Sequence, residues 1–110
     1  MKNEEEKSVF LEYFGDYPLM RVLDFLIGSR ELDYSMTEIA RNSGVGWTAF
    51  SEIWPKLIEK NIVTFTRKIG NAKLYKLNVQ NLWVKELIKI DNLITRLETN
   101  NILKQKEMII

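Results

Sequence analysis

The stretch that decides the fold is Ser35-Met36-Thr37-Glu38-Ile39-Ala40-Arg41-Asn42-Ser43-Gly44-Val45-Gly46-Trp47-Thr48-Ala49-Phe50. Ser35 and Glu38 fit a capping box: the serine hydroxyl takes a backbone N–H three residues on, and the glutamate reaches back. A short helix therefore starts here, with Ile39 and Ala40 inward. Gly44-Val45-Gly46 reads as a tight turn. A second helix begins near Trp47, with Gly46 as a permissive cap, and runs to about Lys60. Phe50, Trp54, Leu57 and Ile58 face inward at helical spacing. Pro55 offers no N–H to the Ser51 carbonyl, so a kink or a loosened turn is expected there, not a break. Asn61 stands where a helix often ends in a left-handed residue.

Beyond this core, Ile62–Thr66 and Lys73–Leu77 are β-branched and aromatic runs with partial alternation. Gly70-Asn71 between them supplies a hairpin turn, so Arg67, Lys68 and Lys73 form a cationic tip. From Leu82 the pattern is helical. Trp83, Leu87, Ile90, Ile94 and Leu97 step by 4, 3, 4 and 3 residues, the a/d seam of a coiled coil. The stripe extends farther than a small domain needs, and Leu82, Ile88 and Leu93 add a second apolar side. One face can dock on the domain and another on a partner, with Ile94 beyond the span the core requires. Upstream, Asp16-Tyr17-Pro18 starts a helix whose stripe is Leu19, Val22, Leu23 and Leu26; Gly28-Ser29 ends it. Asp33-Tyr34 is a short extended piece. Val9, Phe10, Tyr13 and Phe14 form a small aromatic helical patch closed by Gly15. Residues 1–7 and the last few residues are expected to fray.

Composition narrows the function. The chain of 110 residues supports one real core and no second large one. It has no cysteine and no histidine, which removes disulfides, thiolate nucleophiles, the commonest general base and the commonest zinc ligand. No nucleophile–base pair and no phosphate loop is found, so an enzyme is the weakest reading, and no cofactor or metal is expected. No apolar run is long enough to span a bilayer, and the charged N-terminus is no secretory leader; a cytoplasmic, nucleoid-associated protein is expected. The net charge is only +1, but residues 41–76 carry seven basic side chains against Glu52 and Glu59, while residues 1–40 carry four against nine acids. A basic block of this kind suits a polyanion.

The order helix, short strand, helix, tight turn, helix, hairpin, long helix is the winged helix-turn-helix arrangement. It predicts a mainly α protein with a small β-hairpin (α+β). The residues resemble that family directly. Thr37–Arg41 through Gly44-Val45 look like its second helix and turn. Phe50 through Leu57-Ile58-Glu59-Lys60-Asn61-Ile62-Val63 look like its recognition helix and wing entry. Lys73–Asn78 resemble the second wing strand of small archaeal regulators related to the MarR and ArsR types. Asn61, where the family usually has glycine, and Pro55 depart from the pattern. The division expected is an extension with a short helix over 1–15, a DNA-binding domain over 16–78 and a C-terminal dimerisation helix over 79–110.

What the resemblance implies is binding to double-stranded DNA. The outward face of the Trp47 helix bears the residue types that read base edges in a major groove: Trp47, Thr48 and Ser51. Glu52 is read as an intrahelical partner of Lys56. Arg41, Lys56, Arg67, Lys68 and Lys73 are phosphate candidates, and Asn71 suits a minor groove or simply the turn. The seam Trp83, Leu87, Ile90, Ile94 and Leu97 points to a homodimer. The function expected is a homodimeric transcription regulator without a small-molecule effector, since the core looks filled by its own aromatics. The alternative is an architectural or plasmid-segregation protein that coats DNA with little sequence preference.

Overall fold

In the computed structural model, which describes residues 7–109 and side chains through residue 107, both bonds of the capping box form. The Glu38 N–H donates to Ser35 Oγ at 3.2 Å and the Ser35 N–H donates to Glu38 Oε1 at 2.9 Å. The helix it starts, α3 (Met36–Ser43), ends at Gly44 with φ 68°. A side chain is strained at that φ, and a Cβ there would also press on Arg21 at 3.3 Å. The Arg21 guanidinium donates to the Gly44 carbonyl and to Asp16, so the turn is held from the side.

Around this turn the order is α1 (Val9–Phe14), α2 (Pro18–Gly28), α3, α4 (Trp47–Glu59), β1 (Val63–Ile69), β2 (Ala72–Leu77) and α5 (Leu82–Ile109). The strands pair antiparallel. Tyr34 adds a third row by exchanging two 2.8 Å backbone bonds with Tyr75, so the short extended piece is a sheet edge. Asn61 takes the left-handed conformation at φ 57°. Its carbonyl accepts from the side-chain amides of both Asn78 and Asn81, and Asn81 in turn accepts the Trp83 and Val84 N–H groups, which start α5. The end of α4 is thereby tied to the start of α5.

All these elements share one core. Val22 and Leu26 from α2, Ile39 from α3, Phe50 from α4, Leu77 from β2 and Val84 from α5 are almost completely buried. Phe10 of the N-terminal extension and Leu87 of α5 join the same cluster, so the three expected segments do not have separate interiors. Two inward assignments shift. Leu19 and Ile58 are exposed, while Ile27 and Ile53 turn toward the core, because α2 and α4 face each other on the Ile53 side. The expected fraying of residues 1–6 and of residue 110 lies outside the described residues; α5 stays helical to Ile109.

Helix α5 holds 28 residues, about 42 Å at helical rise. It is longer than the 31 and 22 Å short dimensions of the molecule. Its inner face carries one group at odds with burial. Burial, and then the charge of Asp24, push the Asp91 carboxyl above the ordinary carboxylate range, with Arg30 opposing. Ionised Asp91 therefore opposes folding at neutral pH, and that penalty disappears as pH falls below its raised native value. Asp16, held low by Arg21, and Glu38, held low by the Ser35 backbone N–H, act with the opposite sign. Their stabilisation is complete above the ordinary carboxylate range and is lost as pH falls through their lowered native values. We expect Asp91→Asn to raise the urea midpoint at about pH 7 and the advantage to shrink toward about pH 3. An unchanged midpoint at neutral pH would contradict this account of Asp91.

Candidate nucleic-acid interface

Helix α4 starts at Trp47 because Gly46 takes the extended conformation of a helix entry. No side chain caps its first turn and no acid lies in it, so its leading N–H groups suit an anion. Thr48, Ser51, Glu52, Pro55 and Lys56 are exposed. Trp47 is 54% exposed although its ring stacks on Phe50 with centroids 5.5 Å apart. The Ser51 hydroxyl donates to the Trp47 carbonyl at 2.7 Å, which leaves its oxygen to act as an acceptor. Among the described residues no ion pair joins Glu52 to Lys56, contrary to the expected intrahelical pair. Pro55 leaves the helix unbroken.

An aromatic column ties this face to the wing. Phe50 stacks on Trp54 at 5.3 Å, Trp54 meets the edge of Tyr75 at 5.0 Å, and Tyr75 meets Phe65 at 5.9 Å. Tyr75 and Phe65 are cross-strand partners. Helix α4 and the hairpin are thus held at one fixed separation by ring contacts, each contributing about 0.5–1.5 kcal/mol beyond its buried area.

The wing strands run longer than the sequence suggests. Arg67, Lys68 and Ile69 belong to β1, and the turn is Gly70-Asn71 alone, with Gly70 at φ 59°. Lys68 therefore lies directly opposite Lys73. Like charges facing each other across a ladder are destabilising, and among the described residues neither lysine has an acidic partner. Asn71 is exposed at the turn.

The register slips between Phe65 and Arg67. This bulge at Thr66 turns Arg67 to the face opposite Phe65. There it meets Asp33, from the loop before α3. Arg67 Nε donates to Asp33 Oδ2 at 3.0 Å and Nη2 donates to Oδ1 at 3.2 Å, while the Thr66 hydroxyl donates to the same carboxylate. Arg67 and then Thr66 hold the Asp33 carboxyl below its usual range. Neither Asp33 nor Thr66 stands out in the sequence, because the pairing spans more than thirty residues and depends on the bulge.

The other candidates divide. Arg41 is exposed at the end of α3, beside a polar cleft shared with Lys7 and Asp24. Lys56 borders a groove of about 680 Å³ between α2, α4 and α5, lined by Leu19, Leu23, Ile53 and Trp83. The aromatics therefore do not fill all the space, as the sequence suggested they would. On α5 the expected seam splits. Leu87 and Ile94 are only 8% and 6% exposed and turn into this chain's own body, whereas Trp83, Ile90 and Leu97 face outward with Leu93. Ile94 lies outside the main core cluster, as expected, yet it is buried rather than free for a partner, because α1 packs along α5 and extends the covered face. Among the described residues no helix is long and apolar enough to cross a membrane, and no group of acidic side chains is placed to hold a metal ion.

A helix-turn-helix followed by a two-stranded wing defines the winged-helix fold. Solved structures share it. NadR, in complex with 4-hydroxyphenylacetate, superposes with a TM-score of 0.59 at 13% identity, over 91% of this chain and 72% of its own. ZitR of Lactococcus lactis, a mutant in its apo form, gives 0.59 at 18% identity over 87% and 74%. Sso10a-2, a DNA-binding protein from Sulfolobus solfataricus, gives 0.50 at 11% over 82% and 94%. No family model matches the sequence, and no curated protein matches it.

The proline in α4 yields a stability test. A helix-interior proline is about 3 kcal/mol less favourable than alanine, and Pro55 is exposed. Pro55→Ala is expected to raise the unfolding free energy by about 1–3 kcal/mol in urea titrations. A loss of stability would mean that the ring itself makes a needed contact.

Proposed function

We propose that this chain is a homodimeric regulator that binds double-stranded DNA, placing α4 in the major groove and its wing on the backbone or minor groove. Residues 16–78 form the DNA-binding unit and 79–110 the pairing helix of a protein related to small MarR/ArsR-type regulators. It binds and does not catalyse, and it works at the nucleoid in the cytoplasm. The observation that carries the reading is the Lys68–Lys73 pair. Two opposed lysines cost folding stability, and a phosphate lying between them removes that cost. The exposed Trp47, Thr48 and Ser51, held at a fixed distance from the wing by the aromatic column, support it. So does the shared fold of a DNA-binding protein. The mechanism needs no small-molecule effector, since helix and wing are already held in place.

Within this mechanism Lys68, Lys73, Arg67, Lys56 and Arg41 meet phosphates, and Asn71 lies at the edge of the minor groove. Lys68→Ala with Lys73→Ala is expected to weaken binding to all duplexes alike and to flatten the slope of log affinity against log salt by about one per lost contact. An unchanged slope would remove the wing from the interface. Thr48→Ala and Ser51→Ala are expected to lower discrimination between the preferred site and random DNA by about 1–3 kcal/mol per true base contact. Equal losses on both DNAs would favour the architectural reading, in which the protein coats DNA with little preference.

The outward stripe Trp83, Ile90, Leu93 and Leu97 is the pairing surface. Ile90→Glu and Leu93→Glu are expected to give folded 13.0 kDa monomers, by sedimentation and circular dichroism, with DNA affinity reduced toward non-specific levels. Ile94→Glu, by contrast, is expected to unfold the chain. A wild-type chain that is monomeric at micromolar concentration would end the dimer proposal.

A further inference from the structure

The Asp33–Arg67 pair raises a question of sign. An acid beside a cation in a DNA-binding surface ordinarily weakens binding, because it neutralises the charge and repels phosphate. The geometry here is different. The Asp33 side chain is only 17% exposed and is enclosed by Arg67 and the Thr66 hydroxyl, while Arg67 is 62% exposed. Asp33 engages one edge of the guanidinium, through Nε and Nη2. A guanidinium has five N–H donors. Two are taken, so three point away from Asp33, including both on Nη1, and none has another partner among the described residues. Asp33 itself is fixed, because the next residue, Tyr34, is bonded at both backbone groups to Tyr75. The bulge at Thr66 is what brings Arg67 to this face.

We propose that Asp33 is a positioning residue for DNA binding: it fixes the Arg67 guanidinium in one orientation so that its free edge meets a backbone phosphate. This inference rests on the reading of the wing as a DNA-contacting element. An unrestrained arginine loses rotamer freedom when it binds, whereas one already held by Asp33 has lost it on folding. A bidentate fork is also specific to arginine; a lysine carries the charge but not the planar geometry. The consequence runs against simple charge counting: removing this negative charge weakens the hold on a polyanion.

The test is a double-mutant cycle on duplex affinity, using the full chain and a duplex of random sequence, with circular dichroism as the check on folding. Asp33→Asn is expected to weaken binding about two- to tenfold. In an Arg67→Ala background the same substitution is expected to have no weakening effect, because Asp33 acts only through Arg67. Arg67→Lys, which leaves Asp33 and the charge in place, is expected to lose nearly as much as Arg67→Ala; this arm decides the matter if Asp33→Asn does not fold. Three results would overturn the inference: Asp33→Asn binding as tightly as wild type or tighter, equal weakening in both backgrounds, or full binding by Arg67→Lys. A wild-type chain that binds no duplex at all would instead overturn the DNA reading on which the inference depends.

Discussion

The contact on which the rest depends is the edge of Tyr75 against the face of Trp54, with ring centroids 5.0 Å apart. Trp54 belongs to α4 and Tyr75 to the wing. Through Phe50 the contact continues to Trp47 at the exposed start of α4, and through Phe65 it continues along the hairpin. Tyr75 is also the residue that binds Tyr34 through two backbone bonds. One aromatic side chain and its backbone therefore set the distance from helix to wing and the place of the loop that carries Asp33. Close ring packing leaves few soft alternatives, so α4 and the hairpin are held as one rigid unit.

That rigidity matters because both elements bear features that are poor for stability taken alone. The Lys68–Lys73 pair faces itself across the ladder. Trp47 is half exposed. Pro55 interrupts the hydrogen bonds of α4 without breaking it. Departures from local rules tend to gather at functional sites, and here they gather on α4 and the wing. The exposed apolar stripe on α5 is a separate departure on a separate element. The reading we propose gives each surface one task, polyanion contact to α4 and the wing and pairing to the outward face of α5.

Local devices were legible in the sequence because their physics spans three or four residues. The capping box at Ser35 and Glu38, the left-handed Asn61 and the Gly70-Asn71 turn all form as read. The order of elements, and with it the winged-helix fold, followed from them. What was not legible depends on packing between distant segments. A helical wheel places Ile53 and Ile58 symmetrically about the buried stripe of α4, and only the position of α2 decides that Ile53 goes in. Likewise Trp83, Leu87, Ile90, Ile94 and Leu97 fall within one narrow sector of α5, and the docked α1 divides them. The bulge at Thr66 changes the face of Arg67 by a single residue, a slip that no alternation pattern reveals. The Asp33 contact depends on that slip.

On the reading we propose, the outward face of α4 and the wing form one DNA-binding surface. The most direct measurement is the change in backbone amide NMR shifts, with the Trp47 indole as a further probe, as a duplex is added to the labelled protein. Trp47, Thr48, Ser51, Lys68, Asn71 and Lys73 are expected to shift together along one binding curve, while Ile90, Leu93 and Leu97 on α5 stay unchanged. Shifts confined to α5, or wing shifts that follow a different curve from those of α4, would contradict it.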